Sequence, residues 1–220
     1  MADFTEAPLT AAEARVLGVL VEKQYATPDA YPLTANSLVA GCNQKTSRFP
    51  IMNLSEPEIV SVLENLKYRT LVIESYGASG RVLRYAHNLA KVLGVGQPML
   101  ALLAVLMLRG PLTAGELRTM TDRLYRFPDI SSVEAYLEDM ITRAAVPLVV
   151  KLARQPGSRE QRWAHLLAGP VADLPVAGDA MERDGDANMG GLGAEVAALR
   201  DEVRELRARL ERLEQALGDA

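Results

Sequence analysis

The only two histidines and the single cysteine of this 220-residue chain are its first candidates for acid–base, nucleophilic or metal chemistry. His87 and His165 stand 78 residues apart, and no clustered metal-ligand spacing connects them with Cys42. A lone cysteine beside small residues is more often a packed thiol than a nucleophile. Two histidines at equivalent positions more often share a structural role, such as a hydrogen bond that closes a hairpin. We therefore predict no enzyme activity, no metal site and no cofactor.

Basic side chains in loops offer a second kind of chemistry, which is contact with the phosphate groups of nucleic acid. The polar segment 43–48 carries amides, hydroxyls and two cations, and the second predicted hairpin sets four cations against Glu160. Ordinary solvated loop charges would give the same pattern. The residues predicted to bind nucleic acid are Lys45, Arg48, Arg81, Arg84, Lys151, Arg154, Arg159 and Arg162.

The third predicted helix of each half argues against the reading of bases in the major groove. Its outer face combines carboxylates with a few neutral polar side chains, and several carboxylates on one helix repel phosphates. A protein-binding adaptor, in which these acidic helices meet a basic partner, therefore remains an alternative to DNA binding. In the third helix of the first half the outward residues are Glu58, Ser61, Glu64 and Asn65. In the third helix of the second half they are Glu134, Glu138 and Asp139.

An internal repeat identifies the elements that must position these side chains. Residues 84–90 read Arg-Tyr-Ala-His-Asn-Leu-Ala, and residues 162–168 read Arg-Trp-Ala-His-Leu-Leu-Ala, with five of the seven positions identical. The two histidines occupy the same place in both copies. A period this long indicates a duplicated domain rather than a solenoid. Each copy of about 80 residues can bury a core, especially if the two pack on each other.

The same order of elements is predicted in both copies. Capping boxes mark helix starts at Thr10, Ser55, Thr113 and Ser131. The predicted helices cover about 10–23, 34–42 and 55–69, then 98–108, 113–124 and 131–143. The predicted strands cover 71–73 and 81–86, then 148–150 and 161–166. Three helices followed by a hairpin is the winged-helix order. We predict an α+β protein with winged-helix domains at residues 1–92 and 93–168, and Tyr85 and Trp163 packed beneath the hairpins.

The C-terminal part differs in composition. Residues 169–191 contain five glycines, two prolines and five acidic side chains, which predicts a flexible linker. Residues 192–220 carry a strict heptad seam, typical of a parallel two-stranded coiled coil. A helix that folds back on its own domains is the alternative. The predicted dimerisation residues are Leu192, Val196, Leu199, Val203, Leu206, Leu210, Leu213 and Leu217.

Composition also bears on location. Residues 1–168 hold 18 basic and 16 acidic side chains, so the acidity behind the formal net charge of −4 lies in the tail. The longest apolar run, residues 99–108, is shorter than the roughly 20 residues that cross a bilayer. The N-terminus lacks the basic and apolar blocks of a secretion signal. One cysteine excludes an intrachain disulfide framework. We predict a cytoplasmic protein without a membrane segment.

The chain resembles the bacterial YceH family of tandem winged-helix proteins over about residues 8–168. The resemblance implies the winged-helix fold and a cytoplasmic setting, and it brings no catalytic or ligand-binding residues with it. We predict a DNA-binding or transcription-associated homodimer joined by its C-terminal coil, with a winged-helix protein–protein adaptor as the alternative. The segments that carry the resemblance are 9–18, 31–34, 42–48, 50–56, 108–110 and 115–118.

Overall fold

The computed structural model describes residues 4–76, 82–142, 146–154, 158 and 160–171. The predicted coiled coil, its dimerisation residues and almost all of the predicted linker lie outside this part of the chain. The first copy contains α1 (Ala11–Ala26), α2 (Ala35–Cys42), α3 (Glu56–Tyr68), β1 (Val72–Tyr76) and β2 (Leu83–His87). After α4 (Leu89–Leu93), the second contains α5 (Gln97–Arg109), α6 (Ala114–Met120), α7 (Ile130–Thr142), β3 (Val149–Lys151) and β4 (Trp163–His165). The protein is α+β, and this order is compatible with the winged helix.

Helix starts follow the predicted capping boxes with one exception. Thr10, Ser55 and Thr113 stand at the N-caps, and the backbone N–H of each donates to the glutamate three residues on at 2.7–2.8 Å. The prediction of a box at Ser131 is wrong. The Asp129 carboxylate accepts from the Ser132 backbone N–H at 2.7 Å, and the helix begins at residue 130. A charged oxygen is the stronger acceptor for an unpaired helix N–H.

The two hairpins have equivalent registers. β1 pairs antiparallel with β2 so that Val72 lies opposite His87, and β3 pairs with β4 so that Val149 lies opposite His165. A single bridging residue adds a third, very short strand to each hairpin. These bridges join Leu33 to Tyr85 and Leu112 to Trp163. The repeat found in the sequence therefore corresponds to a structural repeat, and both aromatic rings are buried as predicted.

The first helices of the two copies pack on each other. Every residue of α5 from Met99 to Leu108 is buried, and one continuous hydrophobic cluster runs through both copies. Glycine permits the close contact, because a Cβ at Gly18 of α1 would meet the Leu108 side chain at 2.9 Å. Residues 1–177 accordingly form one compact unit. The predicted domain boundary at residues 92 and 93 stays a prediction.

Backbone hydrogen bonds also join the two copies. The Phe49 N–H, in the loop between α2 and α3, donates to the Leu108 carbonyl near the end of α5 at 2.7 Å. The Leu9 N–H, just before α1, donates to the Leu167 carbonyl after β4 at 2.8 Å. Loops and termini of one copy thus stabilise the position of the other.

Two local elements differ from the sequence expectation. The short helix α4 was not predicted, and it ends where Gly94 adopts a left-handed backbone with φ of 61°. Helix α6 ends at Met120, earlier than predicted, because the Thr121 hydroxyl bonds the Leu117 carbonyl at 2.8 Å and the chain turns. In the described residues, no helix combines the length and apolar character that a membrane crossing requires.

Candidate nucleic-acid interface

Two of the predicted cations, Arg84 and Arg162, occupy equivalent structural positions. Arg84 Nη1 donates to the Pro32 carbonyl at 2.8 Å, and Arg162 Nη1 donates to the Pro111 carbonyl at 3.0 Å. Arg162 also lies 3.6 Å from the Glu116 carboxylate. Both arginines are half-buried and tie the return strand to the short bridging segment. The structure thus gives them a positioning role inside the repeat, and their predicted contact with nucleic acid stays a prediction.

Arg48 lies inside the protein. Its side chain is 0% exposed, and its guanidinium forms a two-point ion pair with Glu22 of α1 at 2.6 and 3.1 Å. It also donates to the carbonyls of Gly41 and Ser47. A guanidinium held by four acceptors within its own protein has a stabilising role between α1, α2 and the following loop.

The second hairpin carries two exposed cations. Lys151 Nζ lies 4.9 Å from the centre of the Trp163 ring and 3.7 Å from the Glu138 carboxylate on α7. Arg154 is exposed, and its Nε donates to the Ser158 carbonyl at 2.7 Å. Both side chains reach solvent, although an acidic residue of the third helix compensates the charge of Lys151.

The remaining predicted cations are divided between exposed and undescribed positions. Lys45 is exposed in the loop between α2 and α3, and it has no ion-pair partner among the described residues. Arg81 and Arg159 lie outside the described residues. The structure therefore brings Lys151 and Arg154 together on one hairpin and places Lys45 in the other repeat.

The outer faces of α3 and α7 are as acidic as the sequence indicated. Glu58, Glu64 and Asn65 are exposed on α3, as are Glu134 and Asp139 on α7. Hydrogen bonds from Ser55 lower the pKa of the Glu58 carboxyl, which is fully exposed and charged at neutral pH. A helix surface of this kind repels a phosphate backbone.

Sequence reasoning missed three charged residues that shape the loop region. Arg15 and Glu22 stand seven residues apart on α1, and Arg15 is 1% exposed within an otherwise apolar run. Arg109, the last residue of α5, donates to the Ser47 hydroxyl at 2.5 Å. A charged residue inside the apolar segment 14–21 was the available signal, because such a residue is buried only with specific polar partners.

The two histidines lie at the ends of their return strands, where His165 is buried and His87 is half-buried. The His87 ring bonds the Gln24 side-chain oxygen on α1 through Nε2, and the His87 backbone N–H donates to the Tyr31 hydroxyl at 2.8 Å. Desolvation lowers the pKa of both His87 and His165 to about 4. Neither Nδ1 has a hydrogen-bond partner among the described residues. A pKa this low favours the neutral ring of each histidine at pH 7.

The histidines predict a dependence of stability on pH. Between pH 6.5 and about 4 the unfolded chain binds a proton at each histidine while the folded chain does not. The contribution of the two histidines to the free energy of unfolding is thus fully present above pH 6.5, and it is lost as the pH is lowered toward 4. The expected loss at pH 5 is about 2 kcal/mol for each histidine. Urea unfolding at pH 7 and pH 5 measures it.

A matched variant isolates the histidine contribution. The change His165→Gln removes one titrating group, and we expect the loss between pH 7 and 5 to be about halved. The carboxyls whose pKa values are lowered by hydrogen bonds, Glu58 and Asp129, titrate below this window. An unchanged pH dependence in the variant would contradict the burial of a neutral imidazole.

Cys42 is a packed thiol, as the sequence indicated. It is 0% exposed at the end of α2, and desolvation raises its pKa to about 12. The thiolate that nucleophilic or metal chemistry requires is therefore not populated at neutral pH.

Fold and side-chain placement together define an α+β protein with two copies of a three-helix-and-hairpin unit, in which Lys45 of a loop and Lys151 and Arg154 of a hairpin are exposed. The family model described as "Protein of unknown function, DUF480" matches residues 9–158, and the chain belongs to this family. The predicted resemblance to the YceH family is thereby confirmed.

Similar proteins match over nearly the whole chain. A UPF0502 protein of Acidovorax sp. (strain JS42) is 51% identical over 222 residues, which cover 99% of this chain and 98% of the relative. A UPF0502 protein of Burkholderia ambifaria (strain MC40-6) is 50% identical over 214 residues, covering 96% of this chain and 89% of the relative. The first alignment extends well past residue 158, so the similarity is not confined to the region of the family model.

Proposed function

We propose that this chain is a cytoplasmic, non-enzymatic DNA-binding or transcription-associated protein built from two tandem winged helices. In each copy a first helix, a bridging strand residue, two further helices and an antiparallel hairpin follow one another. This order supports the winged-helix assignment, because the bridging residue stands where that fold has its first short strand.

One observation carries the proposal: three of the predicted nucleic-acid-binding cations are exposed, two of them on the second hairpin and one in the loop between α2 and α3. Lys151 and Arg154 are exposed on the second hairpin, and Lys45 is exposed in the loop between α2 and α3. Hairpin and loop cations contact phosphates without reading bases. The acidic faces of α3 and α7 favour the same mode, since they are unsuited to the major groove. We therefore propose backbone-dominated binding with little sequence preference.

A gel-shift titration of a short DNA duplex across salt concentrations tests this function. If the protein binds through phosphates, the logarithm of the binding constant is expected to fall linearly with the logarithm of the salt concentration. The slope is about −0.9 for each phosphate neutralised. Absence of binding at low salt, or a slope near zero, would exclude it.

We also propose a homodimer joined through residues 192–217. The heptad spacing supports it, as do attractive pairs between g and e positions in a parallel arrangement, such as Glu195 with Arg200 and Glu202 with Arg207. Sedimentation of the full chain and of a form ending at Gly169 tests the proposal. We expect a dimer and a monomer, respectively, and two monomers would refute the pairing.

The adaptor remains a second candidate because α7 presents an exposed acidic face. Glu134, Glu138 and Asp139 project from it to solvent, and a basic protein surface would complement them. Changing all three to lysine is expected to abolish binding of a basic partner and to strengthen binding of DNA. Unchanged binding of the partner by this variant would contradict the placement of the adaptor surface on α7.

A further inference from the structure

Arg15 and Arg109 both lie within electrostatic range of Arg48 where the loop between α2 and α3 reaches the end of α5, and Lys45 is exposed on the same loop. Glu22 forms a two-point ion pair with Arg48, and Lys23 lies 3.8 Å from the same carboxylate. Arg15, Arg109 and Lys45 have no carboxylate partner within ion-pair distance among the described residues. Since buried charges are normally paired, this junction has an excess of positive charge.

Arg15 is the most deeply buried of these cations. Its Nη1 donates to the Cys42 carbonyl at 3.0 Å and its Nη2 to the Pro50 carbonyl at 2.6 Å. Its Nε is buried without a partner among the described residues. Desolvation, followed by the charge of Arg48, lowers the pKa of Arg15, and the same two causes lower the pKa of Arg109. The guanidinium groups therefore repel one another, and an anion at the junction would relieve that repulsion.

Helix ends do not prevent an anion from approaching. The last carbonyls of a helix repel anions when they are unpaired. Here the Gly41 and Cys42 carbonyls at the end of α2 accept from Arg48 and Arg15. The Leu108 carbonyl near the end of α5 accepts from the loop backbone. These three carbonyls are therefore already paired with donors and repel an anion less than bare carbonyl groups would.

The exposed part of the junction belongs to both repeats. Lys45 and Ser47 are exposed on the first, and Arg109 is half-buried at the end of α5 in the second. The Arg109 guanidinium donates through Nη2 to the Ser47 hydroxyl, and within the described ranges neither its other N–H groups nor the hydroxyl proton has a further partner. Ser47 has φ of 62°, an uncommon backbone for a residue other than glycine, which constrains how this loop presents its side chain.

We infer that Lys45, Ser47 and Arg109 form a binding site for a phosphate group at the junction of the two repeats. Guanidinium, ammonium and hydroxyl donors suit the tetrahedral oxygens of phosphate. Arg15 and Arg48 add positive charge from the buried side of the site, and they do not contact the ligand. The inference rests on the proposed function, because the phosphate expected here belongs to a DNA backbone. A free phosphate has the same chemistry.

The test removes one donor at a time with a matched control. Lys45→Gln and Arg109→Gln each remove a cation from the site, and Lys91→Gln removes an exposed lysine from α4. Circular dichroism and thermal melting establish that each variant is folded. We expect each site variant to reduce the salt slope of duplex binding by about 0.9, which is one phosphate contact, and the control to leave it unchanged.

A second measurement replaces DNA with inorganic phosphate. Melting temperatures are compared in phosphate and in chloride at equal ionic strength, since a ligand that binds the folded state raises Tm. We expect phosphate to stabilise the wild type and the Lys91→Gln control, and to stabilise the two site variants less.

The two measurements separate the possible outcomes. Phosphate stabilisation that depends on Lys45 and Arg109, without duplex binding, would support the site with free phosphate as ligand and exclude the proposed DNA function. Duplex binding with unchanged slopes in both site variants and no phosphate effect would overturn the site and leave the DNA function standing. Absence of both responses would overturn both.

Discussion

Replacing Trp163 by alanine is expected to lower the free energy of unfolding by about 3–5 kcal/mol. Trp163 is 1% exposed, and its backbone pairs with Leu112 in both directions at 2.7 and 3.0 Å. Loss of the indole leaves a cavity beneath the second hairpin and removes the ring over which the Lys151 ammonium lies. Urea unfolding followed by far-UV circular dichroism measures the change, because the variant loses the only tryptophan of the chain.

The other repeat supplies the matched control. Tyr85 occupies the equivalent position, is 6% exposed and bridges to Leu33 as Trp163 does to Leu112. The change Trp163→Tyr therefore introduces a ring that this kind of site accommodates, and we expect it to cost about 1–2 kcal/mol. A Trp163→Ala variant no less stable than Trp163→Tyr would contradict the packing of the indole in the core.

The change Glu22→Gln is expected to destabilise the fold by about 3 kcal/mol. It leaves the Arg48 guanidinium, whose side chain is 0% exposed, without a carboxylate. Arg15 lies in the same region and has no carboxylate partner in the part of the chain that the structure describes, so the variant holds two buried cations together. Urea unfolding measures the loss, which raised salt is not expected to abolish, because buried charges are poorly screened.

Two comparisons show whether burial of the ion pair is the cause. Glu74 forms a similar ion pair with Lys67 at 2.9 Å, but both side chains are substantially exposed, so Glu74→Gln is expected to cost less than about 1 kcal/mol. Adding Arg48→Met to Glu22→Gln removes the unpaired charge and is expected to recover part of the stability. Equal losses for Glu22→Gln and Glu74→Gln would contradict the structural role of the buried pair.

Much of the fold could be predicted because its signals are local. Thr10, Ser55 and Thr113 mark helix starts through hydrogen bonds to residues three positions away, and these three predictions are confirmed. The duplicated segments around His87 and His165 predicted two equivalent hairpins, and the registers agree. Ser131 was wrongly predicted as a cap, because Asp129 just before it competes for the same helix N–H groups.

The environment of the cations could not be predicted in the same way. Exposed Lys45 and buried Arg48 stand three residues apart in one polar loop, and nothing in their local sequence separates them. What separates them is Glu22, 26 residues earlier on α1, whose carboxylate lies against Arg48 only after the chain has folded. The pairing of Arg109 with Ser47 likewise depends on the contact between the two repeats.

The continuous core that joins α1 to α5 has a consequence for cooperativity. A fragment carrying either repeat alone would expose to water the flank at which the first helices meet, which includes Gly18 of α1 in one case and Met107 and Leu108 of α5 in the other. Such fragments are expected to aggregate or to remain molten, and heat is expected to melt the intact pair in a single endotherm with matching calorimetric and van't Hoff enthalpies. We therefore expect the two copies of the duplicated unit to unfold as one thermodynamic unit.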